Sequence, residues 1–314
     1  MTEPESLAPE YPSGRQFRIT LGDASATITE VGATLRQYRV GDHDVIHPFA
    51  VTEMSDSHGQ ILIPFPNRIE DGTYTFDGQT QTLPINQPGD HAAIHGLVRY
   101  LPWRVEDYDT NAIELEIDLF PSPGYPFTLR ASARFELHSD GLHIRYEVTN
   151  MGNSALPLGI GTHPYFTVGS ETIDDNKLTV PARTMLTTDD NCIPTGTAPV
   201  DDTEFDFHRG KRIGDLVLDT AYTDLIRDRH GNAYVVLESA DGHRKVKVQL
   251  DRDHDYVQIY SSDTLPDPAT HRASLAIEPM TCPANAFNTG EGLQVVNPGD
   301  TFTSKWAILP SPAS

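Results

Sequence analysis

Apolar and polar residues alternate along most of this chain with a period of two, and Asp-Gly pairs interrupt the alternation. Gln16–Leu21 reads QFRITL, and Thr73–Leu83 reads TYTFDGQTQTL around Asp77-Gly78. Phe135–Val148 reads FELHSDGLHIRYEV around Asp140-Gly141, and Tyr234–Leu250 reads YVVLESADGHRKVKVQL around Asp241-Gly242. A period of two places successive side chains on opposite faces of an extended strand. Asp-Gly between two such runs signals a hairpin, because the tight turn needs positive φ, which glycine adopts without steric cost. Ala112–Leu119 and Tyr256–Tyr260 read as further strands, and no stretch carries the 3.6-residue period of a long amphipathic helix. Strands that are apolar on one side bury that side by stacking sheet on sheet. The expected fold is all-β, a large antiparallel two-sheet β-sandwich.

The chain has 314 residues, 38% of them hydrophobic, which supplies a sizeable core. Residues 1–14, rich in Pro and Glu, read as a flexible tail. No linker, repeat or low-complexity tract divides the remainder of the chain, so residues 15–314 are expected to form one domain. Acidic residues number 45 against 23 basic ones, a formal net charge of −22. Such a surface repels phosphate backbones and anionic membranes, so neither nucleic acid nor a membrane is an expected partner. The N-terminus lacks a basic start with an apolar run, and nothing approaches the roughly 20 apolar residues of a membrane span. A cytoplasmic protein is expected, as a monomer or homodimer. Cys192 and Cys282 have no CxxC spacing, which gives neither a zinc site nor a disulfide framework.

Three islands break the strand-and-turn texture. The first spans residues 61–103 and contains PFPNRIEDG and HAAIHGLVRYLPW. Arg68, behind two prolines, offers a forked donor to hydroxyl groups. His91 and His95 stand four apart, but HAAIH lacks the Glu of a metalloprotease motif, and Pro88, Gly89, Asp90 and Gly96 disfavour a helix there. No metal is expected, and on spacing alone His95 reads as a loop histidine satisfied by backbone. The second island, LPLGIGTHPYFTV over residues 156–168, holds His163 next to Pro164, Tyr165 and Phe166. Gly159-x-Gly161 is a weak phosphate signal without a following helix. His163 fits either a core position or a general acid, since imidazole titrates near neutrality. In the third island, AIEPMTCPANAFNTGEGLQVVNPGDT over residues 276–301, Glu278 sits between Ile277 and Pro279. A carboxylate there is either exposed or else paired, hydrogen-bonded or catalytic.

Four pieces of these islands, PNRIEDGTYTFDG, IHGLVRYLPW, THPYF and EPMTCPANAFN with NPGDTF, resemble the aldose 1-epimerase (galactose mutarotase) family in order and spacing. The resemblance covers roughly residues 61–302. It implies a galactose mutarotase-like sandwich with an open sugar cleft and no cofactor. It implies that His163 is the general acid at the ring oxygen and Glu278 the general base at the anomeric hydroxyl. His95 resembles a second histidine that polarises the ring oxygen. Asn67, Arg68, Asp219 and Gln258 resemble hydroxyl binders, and Pro194–Gly196 and Val257–Tyr260 resemble sugar-binding segments. The chain departs from the family pattern at Thr162, at Thr220–Tyr222 and at Val168, which puts substrate identity in question more than reaction type.

The reaction implied is interconversion of the α and β anomers of a free aldose such as galactose or glucose. A proton leaves the anomeric hydroxyl and another reaches the ring oxygen, the aldehyde rotates, and the ring recloses. Ordinary pKa values would give a bell-shaped pH profile, with the acidic limb set by Glu278 and the alkaline limb by His163. Arg99 and Arg104, close to His95 in sequence, also fit a hexose-6-phosphate mutarotase of the same superfold. A non-catalytic sugar-binding module would keep the sandwich without the acid–base pair. A retaining glycosidase needs two carboxylates about 5 Å apart, and only Glu278 stands out. Dialysis against a chelator is expected to leave activity intact; recovery on adding back a stoichiometric metal would overturn the metal-free reading.

Overall fold

The computed structural model describes residues 11–53 and 57–311; residues 1–10 of the expected N-terminal tail lie outside the described residues, and Ser13 and Gly14 are buried. Two large antiparallel sheets dominate. The nine-stranded sheet runs, edge to edge, Arg104–Tyr108, Ala112–Leu119, Leu129–His138, Gly141–Asn150, Thr301–Ser311, Lys245–Leu250, Ala233–Glu238, Lys177–Thr179 and Lys211–Arg212. The eight-stranded sheet runs Pro194–Pro199, Ala182–Thr188, Asp219–Leu225, Tyr256–Tyr260, Leu275–Met280, Gly161–Thr162 and Ile61–Leu62, with Tyr165–Phe166 also paired to Leu275–Met280. A four-stranded sheet over Gln16–Leu21, Ala24–Thr29, Leu35–Val40 and His43–Asp44 flanks them. The only α-helix among the described residues is Ala286–Thr289. The all-β reading therefore holds, with smaller sheets added to the two main ones.

The Asp-Gly hairpins form where the sequence places them. Thr73–Phe76 pairs with Gln79–Thr82 across Asp77 and Gly78, whose φ values of 48° and 72° are those of a two-residue primed turn. At the second, His138 pairs with Gly141, so Ser139 and Asp140 make the turn and Gly141 opens the strand; at the third, Glu238 pairs with Lys245 across residues 239–244. Strand faces follow the same alternation: in Gly141–Asn150 every second residue from Leu142 to Asn150 is buried, and those between are only partly so. One continuous hydrophobic cluster takes Ile144, Val148, Val248 and Ile308 from the nine-stranded sheet together with Val257, Ile259, Leu275 and Ile277 from the eight-stranded one.

The central pair of the eight-stranded sheet departs from one-sided burial. All six residues of Leu275–Met280 are buried, and so are the first four of Tyr256–Tyr260. Leu275 and Ile277 point into the shared core, so the alternate residues Ala276, Glu278 and Met280 face the opposite side. Gln258, opposite Glu278 in register, projects with it. That covered second face is where a site is built.

Gly141 begins its strand at φ +153°, and a Cβ there would lie 2.1 Å from the Ile308 carbonyl oxygen. Gly78, at φ +72°, has nothing within 4 Å. Urea denaturation should therefore find Gly141→Ala destabilised by about 2 kcal/mol or more, against about 1 kcal/mol for Gly78→Ala. Equal losses would show that turn strain, not strand crowding, governs both positions.

Candidate active site

The outer face of the eight-stranded sheet forms the floor of an open cleft of about 440 Å³. All seven residues singled out from the sequence line it: Asn67, Arg68, His95, His163, Asp219, Gln258 and Glu278. Asp219 and Gln258 come from adjacent strands and are joined by a hydrogen bond from Gln258 Nε2 to Asp219 Oδ1 of 2.6 Å. Glu278 follows on the next strand.

Arg68 opens the short strand Arg68–Glu70, and Asn67, His95 and His163 are delivered by loops. His95 has φ +65°, and its N–H donates to the Asn67 carbonyl at 2.9 Å, which ties the two loop segments together. Gly96 follows at φ +70°, and a Cβ there would sit 2.3 Å from the Ile63 carbonyl oxygen, so only glycine lets the chain turn so close to the strand. Gly159 and Gly161 serve close packing rather than phosphate binding: Cβ atoms there would meet Cys282 Sγ at 2.4 Å and Pro66 Cβ at 2.6 Å. His91 is exposed at the end of a short turn and does not line the cleft, so the His91/His95 spacing assembles nothing. Asp201, Asp206 and His208 bring ligand atoms within 4.8 Å of one another, but they do not line the cleft either.

His163 and Glu278 meet at the cleft floor, with Nε2 and Oε1 3.3 Å apart. Both are nearly inaccessible, at 6% and 2% exposure. His95 packs edge-on against His163, ring centroids 5.2 Å apart. Among the described residues, Glu278 Oε2 and His95 Nδ1 are buried without a hydrogen-bond partner. Buried polar atoms left unpaired are costly and mark places where a polar ligand completes the structure.

Burial pushes both members of the pair toward their neutral forms. Desolvation, then the charges of His58 and Arg99, takes the His163 imidazole down to about 3. Desolvation, reinforced by the Asp219 charge and opposed by Arg68, holds the Glu278 carboxyl well above the usual carboxylate range. The His95 imidazole is likewise held well below its ordinary value, first by burial and then by His163, Arg99 and Arg68. Solvent reaches Asp219 through the open cleft, yet the protein around it raises its carboxyl too, against the pull of Arg68.

These directions invert the limbs expected from unperturbed values. The His163–Glu278 pair is neutral overall only when it holds one proton. Acid adds a second proton at the depressed imidazole value, and alkali removes the last one at the raised carboxyl value, as macroscopic steps of the pair.

Asp90 and Leu265 at the site were not singled out from the sequence. Asp90 holds Arg68 through Oδ2, with Nε at 3.0 Å and the second guanidinium nitrogen at 2.9 Å, while Arg68 also donates to Asn67 Oδ1. Asp90 was legible only as part of a turn, because its partner lies 22 residues away. Tyr165, Tyr260 and Leu265 form an apolar cluster beside the polar floor. Arg99 lines the cleft, whereas Arg104 lies on the outer sheet among Glu106, Glu116 and Asp118. Arg99 and Arg104, the pair that would suit a phosphate, are therefore not brought together; the second guanidinium of the cleft is Arg68, which is held by Asp90. Thr162 and Val168, two departures from the family pattern, do not line the cleft. Ala221 and Pro194 line a small adjoining pocket that shares Asn67, Arg68, Asp219 and Gln258 with it.

The all-β sandwich thus presents a buried imidazole–carboxyl pair at the floor of an open cleft. The sequence profile of the aldose 1-epimerase family matches residues 15–308. The chain belongs to that family, a family of mutarotase isomerases. It is 33% identical over 289 residues to the uncharacterized protein YihR of Escherichia coli K12, covering 91% of this chain and 90% of that one. It is 30% identical over 210 residues to the galactose mutarotase of Sus scrofa, covering 63% of this chain and 60% of that protein. Its fold matches the crystal structure of an aldose epimerase homologue from C. elegans with a TM-score of 0.85 at 21% identity, over 96% and 99% of the two chains. Galactose 1-epimerase from Lactobacillus acidophilus matches with a TM-score of 0.78 at 19% identity, over 94% and 93%.

In a titration followed by histidine side-chain NMR, His163 should remain neutral from about pH 8 down to about pH 5. A midpoint near 6.5 would show that the imidazole is not desolvated as its position requires.

Proposed function

We propose that this protein interconverts the α and β anomers of a free aldose, a hexose such as galactose or glucose, with Glu278 and His163 as the proton-transferring pair. The observation that carries the reading is the 3.3 Å approach of His163 Nε2 to Glu278 Oε1 at the buried floor of the cleft.

The neutral pair holds one mobile proton. Placed on His163, it is available to the ring oxygen and leaves Glu278 free to take the anomeric proton; reclosure returns both. Sugar dipoles entering the dry floor offset the cost of the charge-separated arrangement. His95 presents its edge to the same region and adds a polar contact at the ring oxygen. Asn67, Arg68, Asp219 and Gln258 face the cleft as donors and acceptors for hydroxyls, while Tyr165, Tyr260 and Leu265 offer an apolar surface to the carbon face of the ring. Such contacts exist in ground and transition states alike, so Arg68→Ala or Gln258→Ala should raise KM more than it lowers kcat.

A free sugar is favoured over a phosphorylated one because Arg104 is committed to carboxylates outside the cleft. Residues 15–314 are proposed to act as one domain, as a monomer or homodimer. The two free thiols accord with a reducing cytoplasm.

The test is polarimetry on freshly dissolved α-galactose, α-glucose and glucose 6-phosphate. Glu278→Gln and His163→Asn should each lower kcat by roughly 10²-fold or more with KM little changed, and the double variant should be little worse than either. Wild-type kcat should stay level as pH falls from neutral to about 5, because burial takes the imidazole, and with it the acidic limb, down to about 3, while the raised Glu278 carboxyl moves the alkaline limb up. Near-normal anomerisation by Glu278→Gln would end the assignment, and preference for the phosphorylated sugar would move the substrate to the other class.

A further inference from the structure

A catalytic imidazole is ordinarily steered by a hydrogen bond from its second nitrogen to a carboxylate or carbonyl. Among the described residues, His163 Nδ1 has no partner in hydrogen-bonding geometry. The ring is instead bordered by aromatic surface. Tyr165 lies nearly parallel to it, with centroids 5.0 Å apart and planes 19° apart. His58 stacks on Tyr165 in turn, at 3.8 Å and 15°. Three near-parallel rings thus run His58, Tyr165, His163, and the edge-on contact with His95 abuts the last of them at 85°.

The backbone locks the ends of this stack together. The Gly59 N–H donates to the His163 carbonyl at 2.8 Å, and the His163 N–H donates to the Gln60 carbonyl at 3.1 Å. Gly59 holds φ +68° where a Cβ would lie 2.1 Å from the Leu35 carbonyl oxygen, so the segment carrying His58 is seated directly on a core strand. Tyr165 is buried at 3% exposure and its carbonyl accepts from the His47 N–H at 2.7 Å. The main chain beneath each ring is therefore held in place.

We propose that Tyr165 and His58 are positioning residues for His163: their stacked rings fix the plane of the imidazole, in place of a hydrogen bond to Nδ1. The proposal rests on the reading of His163 as the proton-transferring imidazole. Holding the ring in plane keeps Nε2 aimed at the space shared with Glu278, and rotation of the ring would carry it away from both Glu278 and the sugar. Loss of either supporting ring should thus reduce turnover without altering the hydroxyl contacts. The histidine at position 58 acts by its flat ring, so phenylalanine should replace it.

The experiment compares His58→Ala, His58→Phe, Tyr165→Leu and His163→Asn in the full chain, by polarimetry on α-galactose and α-glucose and by NMR of labelled histidine rings. His58→Ala is expected to lower kcat about tenfold with KM within about twofold, and Tyr165→Leu to lower kcat at least as much with KM raised as well, since Tyr165 also faces the cleft; both should shift the His163 ring resonances. His58→Phe is expected to restore kcat to within about threefold of wild type and to leave those resonances in place. Unchanged kcat in His58→Ala, or a loss in His58→Phe equal to that in His58→Ala, would overturn the proposal. Full activity in His163→Asn would overturn the acid assignment and the positioning role together. An inactive His163→Asn beside an undisturbed His58→Ala would overturn the positioning role alone.

Discussion

The burial of Glu278 beside His163 is the constraint on which the rest of the site depends. A carboxyl and an imidazole at 3.3 Å, both almost closed to solvent, exist at low cost only as a pair with no net charge. The Leu275–Met280 strand makes that burial possible, because it has no exposed residue. Leu275 and Ile277 anchor it in the core between the sheets, and the opposite face is roofed by the loops that carry His95 and His163. Glu278 is held where it is by apolar packing on the far side of its own strand, not by a partner that would satisfy its charge.

The loops above that strand are shaped by close backbone approach. Gly96, Gly159 and Gly161 each sit where a side chain would strike a neighbouring carbonyl, thiol or proline. These contacts bring the residue 59–68 segment, the His95 turn and the His163 segment within hydrogen-bonding reach of one another. The result divides labour across the cleft. Strands supply Asp219, Gln258 and Glu278 at fixed register, and loops supply Asn67, His95 and His163. Arg68 opens a short strand paired with Ala92–Ile94 and is fixed in place by Asp90. Sites built on sheet register are positioned more tightly than sites built on loops alone.

The electrostatics of the cleft run against the chain as a whole. The molecule carries a net charge of −22, yet its cleft combines two guanidiniums, Arg68 and Arg99, with carboxyl groups whose proton affinity is raised at Asp219 and Glu278. Net charge therefore speaks to solubility and to the exclusion of polyanions, not to what the cleft holds.

The alternation of residues and the Asp-Gly turns were sufficient to give the all-β fold, since strand faces and primed turns are properties of a few neighbouring residues. Four motifs in order also marked Asn67, Arg68, His95, His163 and Glu278, which line the cleft. What they could not convey was that His163 and Glu278 are buried, because exposure is decided by what packs on a strand's second face. The inverted order of their proton affinities follows from that burial and was hidden with it. The pairing of Arg68 with Asp90, the separation of Arg104 from Arg99, and the stack of His58 on Tyr165 are all contacts between distant segments or opposite sheet faces. Local sequence determined which elements form and which chemical groups they bear. Only the tertiary structure decided which groups meet and how dry their meeting place is, because both depend on packing between segments far apart in the chain.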